Sequence, residues 1–210
     1  MAIAALSNFT VPLASDQSAS TQGLLMPKLA YRFRISLENF GTSGSTTELT
    51  KQVSDAGRPK VTFDPQTIDV YNSRVFYAGK PKWEAITVKI RDDVTSAVSK
   101  LVGEQNQKQF DFFEQSSAAS AGDYKFTMRI EMLDGGNGAD TPVILETWEC
   151  YGCWLVSTNW NTTALSYKQN EPLMIELSIQ MDNAVQTGAS GSLGAPGFTQ
   201  VRGTTNALGA

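Results

Sequence analysis

Chemistry in this 210-residue chain would have to start from a cysteine pair, an acidic pair or a glycine cluster. Cys150-Tyr-Gly-Cys153 has the spacing of half a zinc site or of a redox dithiol. Structural zinc takes four ligands, and a chain with two cysteines and no histidine supplies half of them at most. A redox dithiol sits at a helix N-terminus after a strand, whereas this pair lies in strand-like sequence with Trp148, Tyr151 and Trp154. The cysteines therefore read as small core residues. Asp92 and Asp93 resemble a general acid/base pair or magnesium ligands, but they precede Val94 and a helical period, where an Asp oxygen accepts from free N–H groups. Gly135, Gly136 and Gly138 are followed by no Gly-Lys-Ser/Thr and no helix signal, so they read as turn residues. Without histidine the commonest general base is missing and no serine has an obvious activator. The expectation is a protein that is not an enzyme and uses no metal or cofactor.

Behind those residues lies a strong sheet signal. Tyr31, Phe33, Ile35 and Leu37 alternate with polar residues, as do Tyr124 to Met132 and Leu173 to Met181. A period of two places alternate side chains on opposite faces of a strand, so each segment has a core face and a wet face. Trp83 to Arg91 adds Ile86, Val88 and Ile90 against Thr87, Lys89 and Arg91. Further strands are expected at Glu48–Val53, Val143–Tyr151 and Trp154–Trp160. Val61–Val75 carries Pro65 and reads as an irregular or hairpin-like excursion, Phe76–Pro81 as a turn, and Leu133–Gly138 as a hairpin loop. One helix is expected from Asp92-Asp93 to about Glu114–Ser117, with Val94, Val98, Leu101, Val102, Phe112 and Phe113 toward the core. The fold class is mainly β: an antiparallel sandwich or barrel of two packed sheets with one flanking helix.

Composition narrows the function. With 17 basic and 21 acidic residues the net charge is −4, which is no footprint for tight nucleic-acid binding. No run reaches the length of a membrane helix, and Met1–Leu6 lacks the basic start of a secretory signal. Residues 1–26 read as an extended arm, 27–182 as one folded body, and 183–210 as a flexible Gly/Ala/Ser-rich tail. Trp83, Trp148, Trp154 and Trp160 read as core or interface residues, with a carbohydrate groove as the alternative.

The series from Val75-Phe-Tyr-Ala-Gly-Lys-Pro-Lys-Trp83 through Ile86–Ile90 to Asp92-Asp93, then Tyr151-Gly-Cys-Trp154, Asn170-Glu-Pro172 and the last strand to Asp182, resembles the tail tube proteins of contractile-tailed bacteriophages. The resemblance covers the body and neither end. It implies six-membered rings stacked into a hollow tube through which genomic DNA passes without sequence-specific binding. The implied partners are further copies of the chain, a sheath, a baseplate and a tail terminator. The implied location is the virion tail, assembled in the host cytoplasm. It also implies that the excursion from Ser54 to Tyr71 is an arm reaching a neighbouring ring, with Arg58, Pro59, Phe63, Val70 and Tyr71 as candidate contacts. Glu176, Ser178 and Gln180, on the polar face of the last strand, are candidate lumen residues. Physical reasoning agrees with a ring, because neighbouring copies can pair the edges that open sheets leave exposed. The rivals are a type VI secretion or tailocin-like tube subunit, a carbohydrate-binding β-sandwich, and a redox protein using Cys150 and Cys153.

Overall fold

The computed structural model describes residues 28–42, 46–134, 142–161, 165–168, 170–187 and 193. Contacts divide the chain into a unit spanning Met1–Arg32 and a larger one spanning Phe33–Ala210. In the first, Leu29–Arg32 form a turn closed by Arg32 N–H to Leu29 O at 3.1 Å.

In the second unit the elements run β1 (Phe33–Glu38), α1 (Thr47–Gln52), β2 (Val53–Ala56), β3 (Val61–Val70), β4 (Ser73–Trp83), β5 (Ile86–Arg91), α2 (Ala97–Gln109), β6 (Phe110–Asp111), β7 (Ser116–Ser117), α3 (Ala121–Tyr124), β8 (Phe126–Leu133), β9 (Ile144–Asn159), β10 (Met174–Gln180) and β11 (Asn183–Thr187). All pairings are antiparallel, and the main sheet runs β1-β8-β9-β10-β5-β2, with β11 also on β9.

Strand β9 organises the body. Its first half pairs with β8 and β11, its second half with β10. Two bulges interrupt it, one where the halves meet and one within the second half. The first inserts an extra residue between Cys150 and Cys153 opposite β8, and the second sets Ser157 and Leu155 against the consecutive Ser178 and Ile179. A bulge unpairs one residue and sharpens the local twist. The alternating faces of both halves then meet in one apolar cluster: Ile35, Met128, Ile90, Leu177 and Ile179 are among its members, with Val98, Leu101 and Val102 of α2 packed against them. The mainly β antiparallel architecture is as the alternation predicts.

Several local expectations need correction. Glu48–Val53 is not a strand: Thr47–Gln52 is a short helix, built from good helix formers around one buried side chain, Leu49. Phe76–Pro81 is not a turn but part of β4, and the chain reverses at Tyr71-Asn72. The glycine that suggested a turn, Gly79, lies in a bulge of β4 opposite Asp64, where a Cβ would come within 2.5 Å of Asp64 O. The long helix starts at Ala97, leaving Val94 fully exposed, and ends at Gln109, so Phe112 and Phe113 lie outside it and face solvent. Two further helices, α1 and α3, stand beside it. Val143–Tyr151 and Trp154–Trp160 belong to a single 16-residue strand, β9. Residues 183–187, expected in the flexible tail, form β11 on β9. The glycine cluster at 135–138 lies outside the described residues.

Candidate assembly surfaces

The cysteine pair and the acidic pair that suggested chemistry are absorbed by the fold. With strict alternation Cys150 and Cys153 would point to opposite faces. The bulge brings both inward, and both are free and buried. Gly152 makes the bulge possible, holding φ at +64° where an added Cβ would collide with the Asp182 carboxylate. Burial pushes both thiols up to about 12, which keeps them protonated and poorly nucleophilic. Asp93 acts as a cap: Oδ2 accepts from the Thr95 hydroxyl at 2.6 Å and Oδ1 from Ala97 N–H at 3.0 Å. These bonds, the Thr95 bond foremost, hold its carboxyl below the usual range.

Three of the five candidate neighbour-contact residues, Phe63, Val70 and Tyr71, belong to one feature, the β3–β4 ribbon. Beyond its base, where Val61 and Trp83 pack on the core, this hairpin packs almost entirely on itself. Register puts Ile68 opposite Val75 and Gln66 opposite Tyr77 on one face, and Thr67 opposite Phe76 and Asp69 opposite Arg74 on the other. Phe63 and Val70 are half exposed, and Tyr71 at the tip is 100% exposed. Arg58 and Pro59 lie before the ribbon. Arg58 donates at 2.6 Å to Glu146 Oε1, which also accepts from Trp148 Nε1 at 2.6 Å and Gln186 Nε2 at 2.9 Å. Glu146 is buried, so Arg58 fastens the ribbon's root to the body.

The lumen candidates share one face of β10. Glu176 sits between Lys89 and Asn159, and Ser178 between Thr87 and Ser157, on the neighbouring strands. Lys89 Nζ lies 3.7 Å from Glu176. Gln180 is tied back to the body, donating to Trp83 O at 2.8 Å. The outer face of β1, β8 and β9 is far more charged. Arg34 pairs with Glu131 at 2.5 Å, and Arg129 bridges Glu38 at 2.8 Å and Glu149 at 3.1 Å. Burial alone would lower the Arg129 pKa, and the facing Glu38 and Glu149 more than reverse this. The Tyr151 hydroxyl and then Arg129 hold Glu149 below the ordinary range. Lys125 pairs with Asp182 at 2.5 Å. Basic residues on these strands thus find their counter-ions within the chain.

Sequence reading missed a groove of about 560 Å³ between α2 and the part of β9 beyond its pairing with β8. There the Gln109 amide stands in for a strand, donating to Leu155 O at 2.9 Å and accepting from Leu155 N–H at 2.8 Å. Asn106 and the Thr158 hydroxyl meet at 3.1 Å. Phe112, Val156 and Trp160 line the rest and are about half exposed or more. The four tryptophans are dispersed: Trp83 is buried, Trp148 packs against the core, Trp154 pairs with Gln180 across β9 and β10, and Trp160 faces this groove.

No protein-family model and no curated protein matches the sequence. Solved structures do. A chain from the anti-feeding prophage cap, the AFP tube terminating cap, superposes with a TM-score of 0.58 at 13% identity, over 85% of this chain and 100% of that one. A chain from the PVC sheath-tube complex of an extracellular contractile injection system, in its extended state, gives a TM-score of 0.54 at 15% identity, over 83% and 100%. The fold is that of the tail-tube group. A third chain, from the six-fold symmetrised AFP baseplate, gives a TM-score of 0.54 at 13% identity over 79% of this chain and 98% of that one. The tail-tube fold accounts for the sheet architecture, the candidate surfaces being this chain's own.

Proposed function

We propose that this chain is a structural, non-enzymatic subunit of the tube of a contractile injection machine, and specifically of a bacteriophage tail tube. Six copies would close into a ring, and rings would stack around a lumen for DNA inside a sheath, between a baseplate and a terminator. The observation that carries this reading is the β3–β4 ribbon, a two-stranded arm whose exposed apolar side chains have no cover among the described residues, on a body with the tail-tube fold. A lone hairpin is marginal in water, so such an arm gains its stability from a neighbour. Exposed apolar ribbons are otherwise a liability for a soluble monomer.

The face around Glu176 and Ser178 suits a lumen, since Lys89 balances Glu176 and the flanking Thr87, Ser157 and Asn159 are neutral. A net charge of −4 disfavours gripping phosphates. A secretion-machine tube would share the fold and differ in cargo.

Negative-stain microscopy of the purified protein tests the class: rings or hollow rods are expected, and a chain that stays monomeric at every concentration refutes it. Genes for a capsid and a terminase beside a sheath gene are expected for the phage version. A density map placing Glu176 and Ser178 at a subunit contact would remove them from the lumen.

A further inference from the structure

We infer that the groove between α2 and β9 receives the ribbon tip of a second copy, with Tyr71 as the anchor. This rests on the assembly reading and adds the acceptor. Two residues violate local preference with no return among the described residues. The first is Tyr71. The tip is a two-residue turn in which Tyr71 holds φ at +41° while Asn72 stays negative, the pattern that calls for glycine at the first position. A bulky side chain there is strained, and Tyr71 is wholly exposed. The second is Gly103, in the middle of a 13-residue helix, where glycine is the poorest residue after proline. A Cβ on Gly103 would meet nothing closer than the Trp160 ring at 3.9 Å, so neither space nor backbone angle demands glycine. What its absence of side chain does is deepen the groove over Trp160.

One contact between copies explains both. The groove offers aromatic walls in Phe112 and Trp160, and polar atoms from Asn106 and Thr158 near its floor, the combination that suits a phenol. Its volume lies in the range of pre-formed pockets that enclose a small group. Area agrees as well: the half-exposed Ile68, Val70, Val75 and Tyr77 share one face of the ribbon, and with the fully exposed Tyr71 they offer several hundred Å², at roughly 150–250 Å² per aromatic side chain, against the roughly 800 Å² per partner of a stable interface. Tip and groove are different surfaces of one chain, so the contact is head-to-tail and propagates from copy to copy.

The test follows assembly of the full chain by sedimentation and negative-stain microscopy, with thermal unfolding of the dissociated protein as the control. Tyr71→Gly is expected to leave the thermal midpoint unchanged or raised, and to increase the concentration needed for half-maximal assembly about 10-fold or more. Gly103→Leu fills the groove and is expected to do the same, and Gly103→Ala, the milder change, should raise the midpoint while weakening assembly less. Because the two sites touch, Tyr71→Gly combined with Gly103→Leu should assemble no worse than the poorer single variant. Wild-type assembly by Tyr71→Gly overturns the inference, as do additive losses. Loss in Gly103→Leu alone gives the groove to another occupant, such as a sheath subunit, and also overturns it. If the wild-type chain forms no rings or rods, the tube reading itself has failed.

Discussion

Strand β10 and the β3–β4 ribbon place apolar side chains on one face in the same way, yet their fates are opposite. Ile175, Leu177 and Ile179 are sealed from solvent, whereas Ile68, Val70 and Val75 stay about half exposed. The difference lies in what each face meets. The β10 face closes on β1, β5, β8 and α2 of its own chain, and the ribbon face projects beyond any of them. Period two therefore signals a face to be covered without saying by which molecule.

The largest effect should fall on the sealed side. Leu177→Ala is expected to lower the unfolding free energy by about 2–5 kcal/mol, because a cavity adds to the lost transfer energy. Ile68→Ala in the dissociated chain should stay within about 0.5 kcal/mol, since its side chain is already half in water. Urea denaturation at a concentration below assembly measures both. A ribbon variant as costly as Leu177→Ala would mean that the ribbon has cover within its own chain.

The β9 bulge is the next place to press. Gly152→Ala must hold a Cβ at positive φ and displace Asp182 from Lys125, so a loss of more than about 2 kcal/mol is expected. Asp182→Ser should recover part of it by making room, which a double-mutant cycle would show as a coupling. Strict additivity would mean that the backbone angle alone sets the cost.

The same bulge makes a pH prediction. Both thiols move from an ordinary value of 9.0 up to about 12 on folding. The native state then holds protons that the unfolded state releases. The resulting stability is intact below pH 9 and falls as pH rises through 9 toward 12. Urea midpoints should drop across that window, and Cys150→Ala with Cys153→Ala should flatten the drop while lowering stability overall. An equal drop in the double variant would assign the alkaline sensitivity to other groups.

These cases also show what the sequence could tell. The alternation of Phe33–Leu37, Ile86–Ile90, Phe126–Met132 and Ile175–Ile179 was legible because burial on one face leaves a period that needs no partner to read. β9 was broken in two because bulges at Gly152 and Val156 shift the phase of alternation. The turn was misplaced because Gly79 and Pro81 carry turn chemistry, while the true reversal uses Tyr71-Asn72. β11 was hidden because its neighbours are small and polar, and pairing with β9 outweighs that composition. The ribbon was legible as an excursion with exposed candidates. The groove was not, since it joins Gly103 to Trp160 across 57 residues of sequence and depends on where α2 ends.

A smaller effect than those at Leu177 and Gly152 bears on the join between the two regions. Arg58 was a candidate for contact with a neighbouring ring, but it is half exposed and bound to buried Glu146, which keeps Trp148 and Gln186 as donors without it. Arg58→Ala should therefore cost only about 1 kcal/mol. Its distinctive consequence should be a looser ribbon root, seen as faster limited proteolysis between β2 and β3 in the dissociated chain. If proteolysis is unchanged while the assembly concentration rises, Arg58 works across copies and the Glu146 pair is incidental. If proteolysis quickens and assembly weakens in step, the root angle of the ribbon is what a neighbouring copy requires, because an arm that swings must be ordered again each time it docks.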